Sequence, residues 1–464
     1  MLPLPMGPLY NWPLSAPGHQ AATATAGGRR KTLAAMGRAL RHRNYRLFFA
    51  GQGLSLVGSW ITRVATGWLI WRLTGSEAML GLIGFAGQIP TTLLAPFAGV
   101  LVDRWNRHRT LVVTQVAAML QSAALAATAL SGTITVGWVA VLSVVQGVIN
   151  AFDMPARQAF VVEMVIARED LPNAIALNSS LVNAARLVGP GIAGVLIAAV
   201  GEGWCFAVDA VSYLAVVASL LAMRGIQPRP ARERSTVLRD LGDGFSYVAG
   251  FPAIRAFLLL LALVSLTGFP YVVLMPVFAR EVLGGGPHTL GVLMAASGVG
   301  ALSGALWLAA RPSVLGLGRV VVVAGATFGL ALVGFGLSRW LWLSLPMVVG
   351  VGGGMMVQMA ASNTLVQTLV DEDKRGRVMS FYTLAFFGTA PFGSLLAGLL
   401  ATWIGAPMTV VVGGAVSLAG VALFARKLPA LRGQIRPIYR RLGILPPIAE
   451  GLQQTDPMNM PAEQ

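Results

Sequence analysis

The chain is poor in charge, in cysteine and in lysine. Only 11% of its 464 residues are charged, whereas an ordinary soluble domain carries about 25%. The single cysteine, Cys205, excludes an internal disulfide, and no CxxC or Cys/His cluster indicates a metal site. None of the three lysines follows a glycine, so the sequence has no GK[ST] phosphate-binding loop. ATP-driven pumping by this chain is therefore excluded.

Groups for hydrolytic chemistry are also missing. The four histidines fall in predicted tails or loops, and no HExxH motif occurs. No apolar stretch carries a pair of carboxylates, which intramembrane hydrolysis would need. We predict that the protein is not an enzyme and uses no cofactor and no metal.

Apolar residues are abundant instead, at 55% of the chain. They form stretches close to the roughly 20 residues that a helix needs to cross a bilayer. The stretches cover 47–71, 79–102, 110–131, 136–156, 174–200, 204–223, 254–279, 289–310, 320–337, 340–363, 377–403 and 407–425. The sequence therefore predicts an all-α integral membrane protein with twelve transmembrane helices.

The net charge of +16 follows this topology. If the spans alternate in direction, all but five of the 34 Lys and Arg residues lie on the side of the N-terminus. The five exceptions are Arg63, Arg72, Arg186, Arg280 and Arg339. An excess of positive charge on one side is typical of cytoplasmic loops. We predict a multi-pass protein of the plasma or inner membrane with both termini in the cytoplasm and no nucleic-acid partner.

The two halves of the sequence repeat each other. At an offset of 204 residues, "GPGIAGVL" at Gly189 overlays "GSLLAGLL" at Gly393. Two such repeats predict two pseudo-symmetric six-helix bundles with the substrate site between them. The predicted parts are a disordered cytoplasmic tail at 1–40, an N-terminal bundle at 41–223, a cytoplasmic linker at 224–250, a C-terminal bundle at 251–427 and a cytoplasmic tail at 428–464.

The loop "GVLVDRWNRHRTL", at 99–111, interrupts the apolar pattern with charge. It resembles the motif between spans 2 and 3 of the major facilitator superfamily, with Asn106 in place of a glycine. The matching residues are Gly99, Leu101, Asp103, Arg104, Arg107 and Leu111. The resemblance implies a conformational latch. In it, Asp103 meets the N-terminal end of span 11, while Arg104 and Arg107 reach Asp153.

Span 5 contains "ARLVGPGIAG". Gly189, Pro190 and Gly194 resemble the antiporter motif of the same superfamily, which is associated with export. Close helix packing through small residues is the alternative explanation of these three positions. In span 4, Ser143 stands where proton-linked exporters often have an arginine.

Three further segments narrow the resemblance. "WITRVATGWLIWRLTGS", "FDMPARQA" and "DEDKRGRVMSFYTL" are similar to the enterobactin-exporter-like branch, or transmembrane secretion effectors. This implies a secondary active transporter, expected to be a proton-coupled exporter of a siderophore or drug-like molecule. The alternative is an importer or uniporter of a small organic anion without proton coupling. The expected partners are a small-molecule substrate, protons and the lipid bilayer, and the protein is expected to be a monomer.

Span 1 carries a polar stripe of Gln52, Ser55, Ser59, Thr62, Arg63 and Thr66 on one helical face. A charge deep in a membrane costs about 2.5 to 3.5 kcal/mol, so the stripe should face a watery cavity. The predicted substrate-binding residues are Gln52, Ser59, Arg63, Thr66, Arg186 and Gln358. For Arg63, an ion pair with Asp209 or hydrogen bonds to carbonyls is the alternative role.

Asp209 is the carboxylate that lies well inside a predicted span. A buried carboxylate can bind and release protons, which makes Asp209 the candidate for proton coupling. It can equally serve as a hydrogen-bonded packing residue or as a partner of Arg63 or Arg186. Asp153, near the cytoplasmic end of span 4, is predicted to be a gate element beside Arg104.

Overall fold

The structure is a computed structural model that describes residues 37–165, 167–225, 237–311, 313–372, 374–442 and 444. Within these ranges the regular elements are helices, with no β-strand, as predicted. Of the predicted tails at 1–40 and 428–464 and the predicted linker at 224–250, residues 1–36, 443, 445–464 and 226–236 lie outside the described residues.

Six long helices form the first half of the chain. They are α1 (Arg43–Thr74), α2 (Glu77–Arg104), α3 (Arg107–Leu130), α4 (Val136–Met164), α5 (Leu171–Val200) and α6 (Glu202–Leu221). The short loops before α2, α3 and α4 end in side chains that cap the next helix. Ser76, Asn106 and Thr135 each accept a hydrogen bond from a backbone N–H three residues on. Asn106 has a φ of −70°, so its role is to cap α3 and not to form a left-handed turn.

The second half has eight helices among the described residues. They are α7 (Val237–Gly250), α8 (Pro252–Thr267), α9 (Tyr271–Val277), α10 (Pro287–Ala309), α11 (Leu317–Leu337), α12 (Leu341–Leu369), α13 (Arg375–Thr383) and α14 (Ala390–Arg441). Single π-helical turns follow α9 and α13, at Phe278–Val282 and Leu384–Gly388. Inside α14, Gly405 has a φ of 79°, a conformation that favours glycine and breaks the helix into two parts.

Ten helical segments of the described chain are long and apolar enough to cross a membrane, compared with the twelve predicted. The difference has two sources. Helix α1 is not among the ten, and it carries four arginines and the polar stripe. The segment Arg375–Arg441 counts once although its 67 residues contain the break at Gly405. At 1.5 Å per residue it is about three times as long as one crossing requires.

The helices pack in a consistent order. In the first half α1 lies against α5 and α6, α3 against α4 and α6, and α2 against α4. In the second half α12 lies against α10 and α11, and α14 against α8 and α11. Two pairs join the halves most extensively, α2 with α14 and α5 with α10.

Glycines allow both of these pairs to approach closely. A Cβ atom on Gly81 would lie 2.8 Å from the Cα atom of Gly398, and one on Gly194 would lie 3.0 Å from the Cα atom of Gly291. A side chain at any of these positions would therefore force two helices apart. Gly194 and Gly398 occupy equivalent positions in the 204-residue overlay, and we call the two contacts the glycine crossings.

The two ends of the molecule differ. We call the end that contains Asn44 and Arg224 the basic end; there the Asn44 amide donates to the Arg224 carbonyl at 2.8 Å. At the other, distal end, Arg72 pairs with Glu202 at 2.8 Å. Helix α2 contacts α14 at the glycine crossing, and at Thr92 its hydroxyl donates at 3.2 Å to the carbonyl of Phe387, in the π-helical turn that precedes α14. Further along α2, a Cβ atom on Gly99 would have no atom within 4 Å. From these contacts we infer a cleft between the halves that opens toward the basic end, where α2 still meets α7 of the second half.

The boundaries at the basic end need correction. The predicted linker at 224–250 contains α7, and the short 3-10 helix Arg38–Arg41 begins inside the predicted N-terminal tail. The predicted C-terminal tail begins inside α14, which continues past residue 427 to Arg441. There Arg441 pairs with Asp371 at 2.8 Å. The apolar pattern did not predict this extension, because the apolar stretch ends near residue 425.

The crossing at Gly398 predicts how the distal end responds to a larger side chain. Gly398→Leu places atoms where the Gly81 backbone lies, so we expect the distal end to open. In a Cys205→Ser background, spin labels at Ser76→Cys and Thr402→Cys should move apart by about 5 Å or more, the scale of one helical turn. Gly191→Leu is the control, because a Cβ there has no atom within 4 Å. Identical distance distributions for both variants would contradict the role of Gly398 in closing the distal end.

Candidate functional site

Two arginines from different helices share one indole ring in the middle of the molecule. The guanidinium carbon of Arg63 on α1 lies 4.6 Å from the centroid of the Trp60 ring, and that of Arg186 on α5 lies 5.9 Å from it. Cation–π contacts of this kind offset part of the cost of holding a cation away from bulk water. Neither guanidinium forms an ion pair or a hydrogen bond with any residue that the structure describes.

The antiporter-like motif of α5 creates this arrangement. A Cβ on Gly189 would lie 2.5 Å from the Cβ of Trp60, so the glycine leaves room for the indole beside α5. Arg186 precedes Gly189 by three residues and therefore lies on the same face. Helix α10 packs against α5 at Arg186, since a Cβ on Gly298 of α10 would lie 3.2 Å from the Arg186 carbonyl oxygen. Gly189 thus serves both helix packing and the placement of Trp60.

Solvent reaches Arg63 although it lies near the middle of a long helix. Its side chain is exposed and Arg186 is half-buried, which is consistent with the inferred cleft. On the side of the second half, Tyr271 is buried and its hydroxyl pairs with the Ser297 hydroxyl at 2.8 Å. The charged pair therefore faces water from one side and the packed distal half of the molecule from the other.

The rest of the span 1 stripe divides into two parts. Gln52 and Ser55 are enclosed, at 2% and 1% exposed, and do not line the cleft. The Ser59 hydroxyl lies 3.2 Å from the Tyr213 hydroxyl of α6. Thr66 is half-buried and donates to the Thr62 carbonyl within its own helix. Of the stripe, Arg63 is therefore the residue that joins Arg186.

Gln358 lies apart from the arginine pair. It is 1% exposed, and neither its amide oxygen nor its amide nitrogen has a hydrogen-bond partner among the described residues. The amide faces α11, where a Cβ on Gly325 would lie 3.2 Å from its oxygen. The Gln358 amide therefore makes no hydrogen bond to either arginine, and its grouping with Arg63 stays a prediction.

Asp209 is enclosed between α1, α3 and α6. It is 1% exposed and accepts hydrogen bonds from Ser122 at 2.8 Å and from Ser212 at 3.5 Å. A Cβ on Gly58 would lie 2.6 Å from its Oδ1 atom, so only glycine leaves room for the carboxylate. The alternative ion pairs with Arg63 and Arg186 do not form.

The latch residues at the basic end pair differently from the expectation. Arg107 bonds Asp103 at 3.0 Å, one turn away, and Glu163 of α4 at 2.6 Å. Asp153 instead pairs with Arg157 and accepts hydrogen bonds from two α3 side chains, Thr114 at 3.0 Å and Gln115 at 2.7 Å. The prediction that Arg104 and Arg107 reach Asp153 is therefore wrong. Asp153 is 2% exposed and holds α3 to α4 within the first half.

Sequence reasoning missed three of these partners. Glu163 lies beyond the predicted end of span 4 at residue 156, but α4 continues to Met164. Arg157 follows Asp153 by four residues in "FDMPARQA", a spacing that predicts an ion pair on a helix. Trp60 gave no signal of its own, because its position depends on how α1 packs against α5.

A fold of long apolar helices with two unpaired arginines among its described interior residues is typical of a membrane transporter. Residues 35–440 match the family described as transmembrane secretion effector, and the chain belongs to this family of major facilitator transporters. Among curated relatives, the Staphyloferrin A transporter of Staphylococcus aureus is 26% identical over 79% of this chain and 92% of its own length. The multidrug efflux pump Tap of Mycolicibacterium fortuitum is 29% identical over 74% and 86%. Macrolide efflux protein A of Streptococcus pyogenes is 24% identical over 79% and 92%.

Solved structures agree on the fold. A bacterial homologue of the human lysosomal transporter Spinster, in an inward-facing and unoccupied conformation, has a TM-score of 0.61 at 15% identity, covering 86% of this chain and 98% of that one. The nucleoside transporter NupG has a TM-score of 0.67 at 12% identity, covering 84% and 99%. The protein is thus a multi-pass membrane transporter and not an enzyme, as predicted.

The Arg107 contacts predict a selective effect of Asp103→Asn. The exposed pair that this change removes contributes about 0 to 1 kcal/mol, so the melting temperature should barely move. If Asp103 belongs to a conformational latch, transport should nevertheless fall by about fivefold or more. Glu281→Gln, an exposed carboxylate in the π-helical turn after α9, is the matched control. Transport by Asp103→Asn at the parent rate would contradict the latch.

Proposed function

We propose that the protein is a proton-coupled exporter of a small amphipathic molecule, siderophore-like or drug-like, that works by alternating access. The observation that carries this proposal is the pair of unpaired guanidiniums at the closed end of a one-sided cleft. A charge without a protein partner in a membrane interior is expected at a substrate or ion pathway. Arg63 and Arg186 are accordingly the proposed substrate-binding residues.

The proposed topology has twelve spans in two six-helix bundles, at 41–223 and 251–427. It adds α1 and a second crossing after Gly405 to the ten apolar segments. The distribution of Lys and Arg supports a cytoplasmic basic end with both termini on that side. The protein is proposed to act as a monomer.

The proposed topology and the relatives together support export as the direction of transport. If the basic end is cytoplasmic, the cleft receives substrate from the cytoplasm while the glycine crossings keep the distal end closed. Release then requires the crossings to open and the latch residues to close. The printed names of two relatives describe efflux, which supports export by this chain as well.

Asp209 is the proposed coupling residue. It is a buried carboxylate bonded to neutral hydroxyl groups, so gain or loss of a proton changes its hydrogen bonds directly. It also touches α1 at Gly58, close to Arg63 in sequence. Uniport or import of an organic anion is the alternative, favoured by the fact that Asp209 does not contact either arginine.

Purified protein in liposomes tests substrate binding and coupling separately. The substrates are a panel of siderophores and cationic dyes, with and without an imposed pH gradient. Arg63→Lys keeps the charge but loses the planar fork of the guanidinium, and affinity should fall by about tenfold. Arg339→Lys, an exposed arginine of the α11–α12 loop, is the matched control.

Asp209→Asn should behave in another way in the same liposomes. Because nothing at that position then titrates, binding should persist while the response of flux to the pH gradient disappears. A parent-like gradient response in Asp209→Asn would remove the coupling assignment. Gradient-independent flux in the parent protein would favour the uniport alternative.

A further inference from the structure

We propose that the site around Trp60 takes a substrate with two anionic groups, such as a di- or tricarboxylate, one group for each guanidinium. This inference rests on the proposed function, since it names the substrate class of the same site. It depends on the charge balance, the geometry and the access route of Arg63 and Arg186.

The charge balance of the site favours a dianion. The acidic side chains nearest to the interior of the first half already have partners: Asp153 bonds Arg157, Glu163 bonds Arg107, and Glu202 bonds Arg72. Asp209 is bonded to serine hydroxyls. No carboxylate in the part of the chain that the structure describes therefore neutralises either guanidinium of the site. A ligand with one negative charge would leave one of the two cations uncompensated, whereas a dianion matches both.

The geometry sets a limit on the separation of the two charges. Because the guanidinium carbons lie 4.6 and 5.9 Å from one ring centroid, they are no farther apart than the sum of these distances. A short carbon chain carrying two carboxylates spans a gap of this size. Each guanidinium has a planar set of N–H donors that matches a carboxylate in two parallel hydrogen bonds.

Trp60 keeps the two cations in place. Two like charges repel, and without a restraint each side chain would turn away from the other. The shared indole attracts both, and Gly189 fixes the ring against α5. The donors that no described residue uses thus remain available in a site that is formed before the ligand arrives.

Access also suits an anion. The exposed side chain of Arg63 lies on the cleft that opens to the basic end, where Lys and Arg residues predominate. A positive potential at that end raises the local concentration of anions. A cationic amphipath would meet repulsion both at the entrance and at the site.

Binding to the full-length protein in nanodiscs tests this inference. The probes are butyrate, glutarate and tricarballylate, which carry one, two and three carboxylates on short chains, and tetraphenylphosphonium as the cation. Affinities are measured by calorimetry at constant ionic strength. The parent should bind glutarate and tricarballylate at least about tenfold more tightly than butyrate, since each charge-assisted pair is typically worth that factor or more.

The variants are Arg63→Gln, Arg186→Gln and the double replacement. Each single variant should lose most of the preference for two carboxylates, and the double variant should lose little more, because one remaining guanidinium cannot bind both groups. The double variant Arg63→Lys, Arg186→Lys keeps both positive charges at the site. It should therefore fold as the parent does and retain part of the preference for two carboxylates. Arg339→Gln is the control outside the site and should bind as the parent does.

Equal affinity of the parent for butyrate and glutarate would overturn the inference. So would an unchanged preference in Arg186→Gln, or tighter binding of tetraphenylphosphonium than of any carboxylate. The transport assay keeps the two proposals separate. If a dye shows gradient-driven flux but the protein does not prefer dicarboxylates, the exporter proposal stands and the dianion site is rejected. If the protein prefers dicarboxylates but shows no gradient-driven flux, the coupled exporter is rejected and the dianion site stands.

Discussion

A guanidinium in the interior of a membrane protein has to be solvated by something, and this requirement organises the structure. Arg63 and Arg186 have no counter-ion among the described residues, so water in the cleft and the face of Trp60 take that role. Water can reach them only because the two halves separate toward the basic end. If the distal end were not closed, the same separation would open a continuous path for water and ions across the membrane.

Closure at the distal end depends on glycine. The contacts of Gly81 with Gly398 and of Gly194 with Gly291 bring helix backbones close enough to exclude side chains and water. Such contacts are weak individually in lipid, because apolar side chains gain nothing there by leaving solvent. They are therefore well placed to separate when the other end closes. A transporter needs two closures of comparable stability, and small-residue crossings provide one without an ion pair that would be costly to break.

Much of this organisation could be predicted from the sequence. Apolar stretches and the placement of Arg residues predicted the helices, and the cost of a buried charge singled out Arg63 and Arg186. What the sequence does not encode locally is the register between helices. Trp60 joins the site because Gly189 lies opposite it, and Glu163 pairs with Arg107 because α4 runs past the apolar stretch. The helix extensions to Met164 and Arg441 carry charged residues beyond the predicted apolar stretches, so their contacts appear only in the fold.

Helix α1 contacts both the proposed coupling residue and the proposed substrate site. Gly58 leaves room for the Asp209 carboxylate, Ser59 bonds Tyr213 of α6, Trp60 packs on Gly189 of α5, and Arg63 faces the cleft. These four positions lie within two turns of one helix. A proton on Asp209 alters its hydrogen bonds to Ser122 of α3 and Ser212 of α6, and its Oδ1 atom lies against α1 at Gly58. Helix α1 has no way to shift at Gly58 without moving Trp60 and Arg63 too, because an α-helix is stiff over so short a length. Coupling between a buried carboxylate and a distant guanidinium therefore needs no direct contact, only a shared helix.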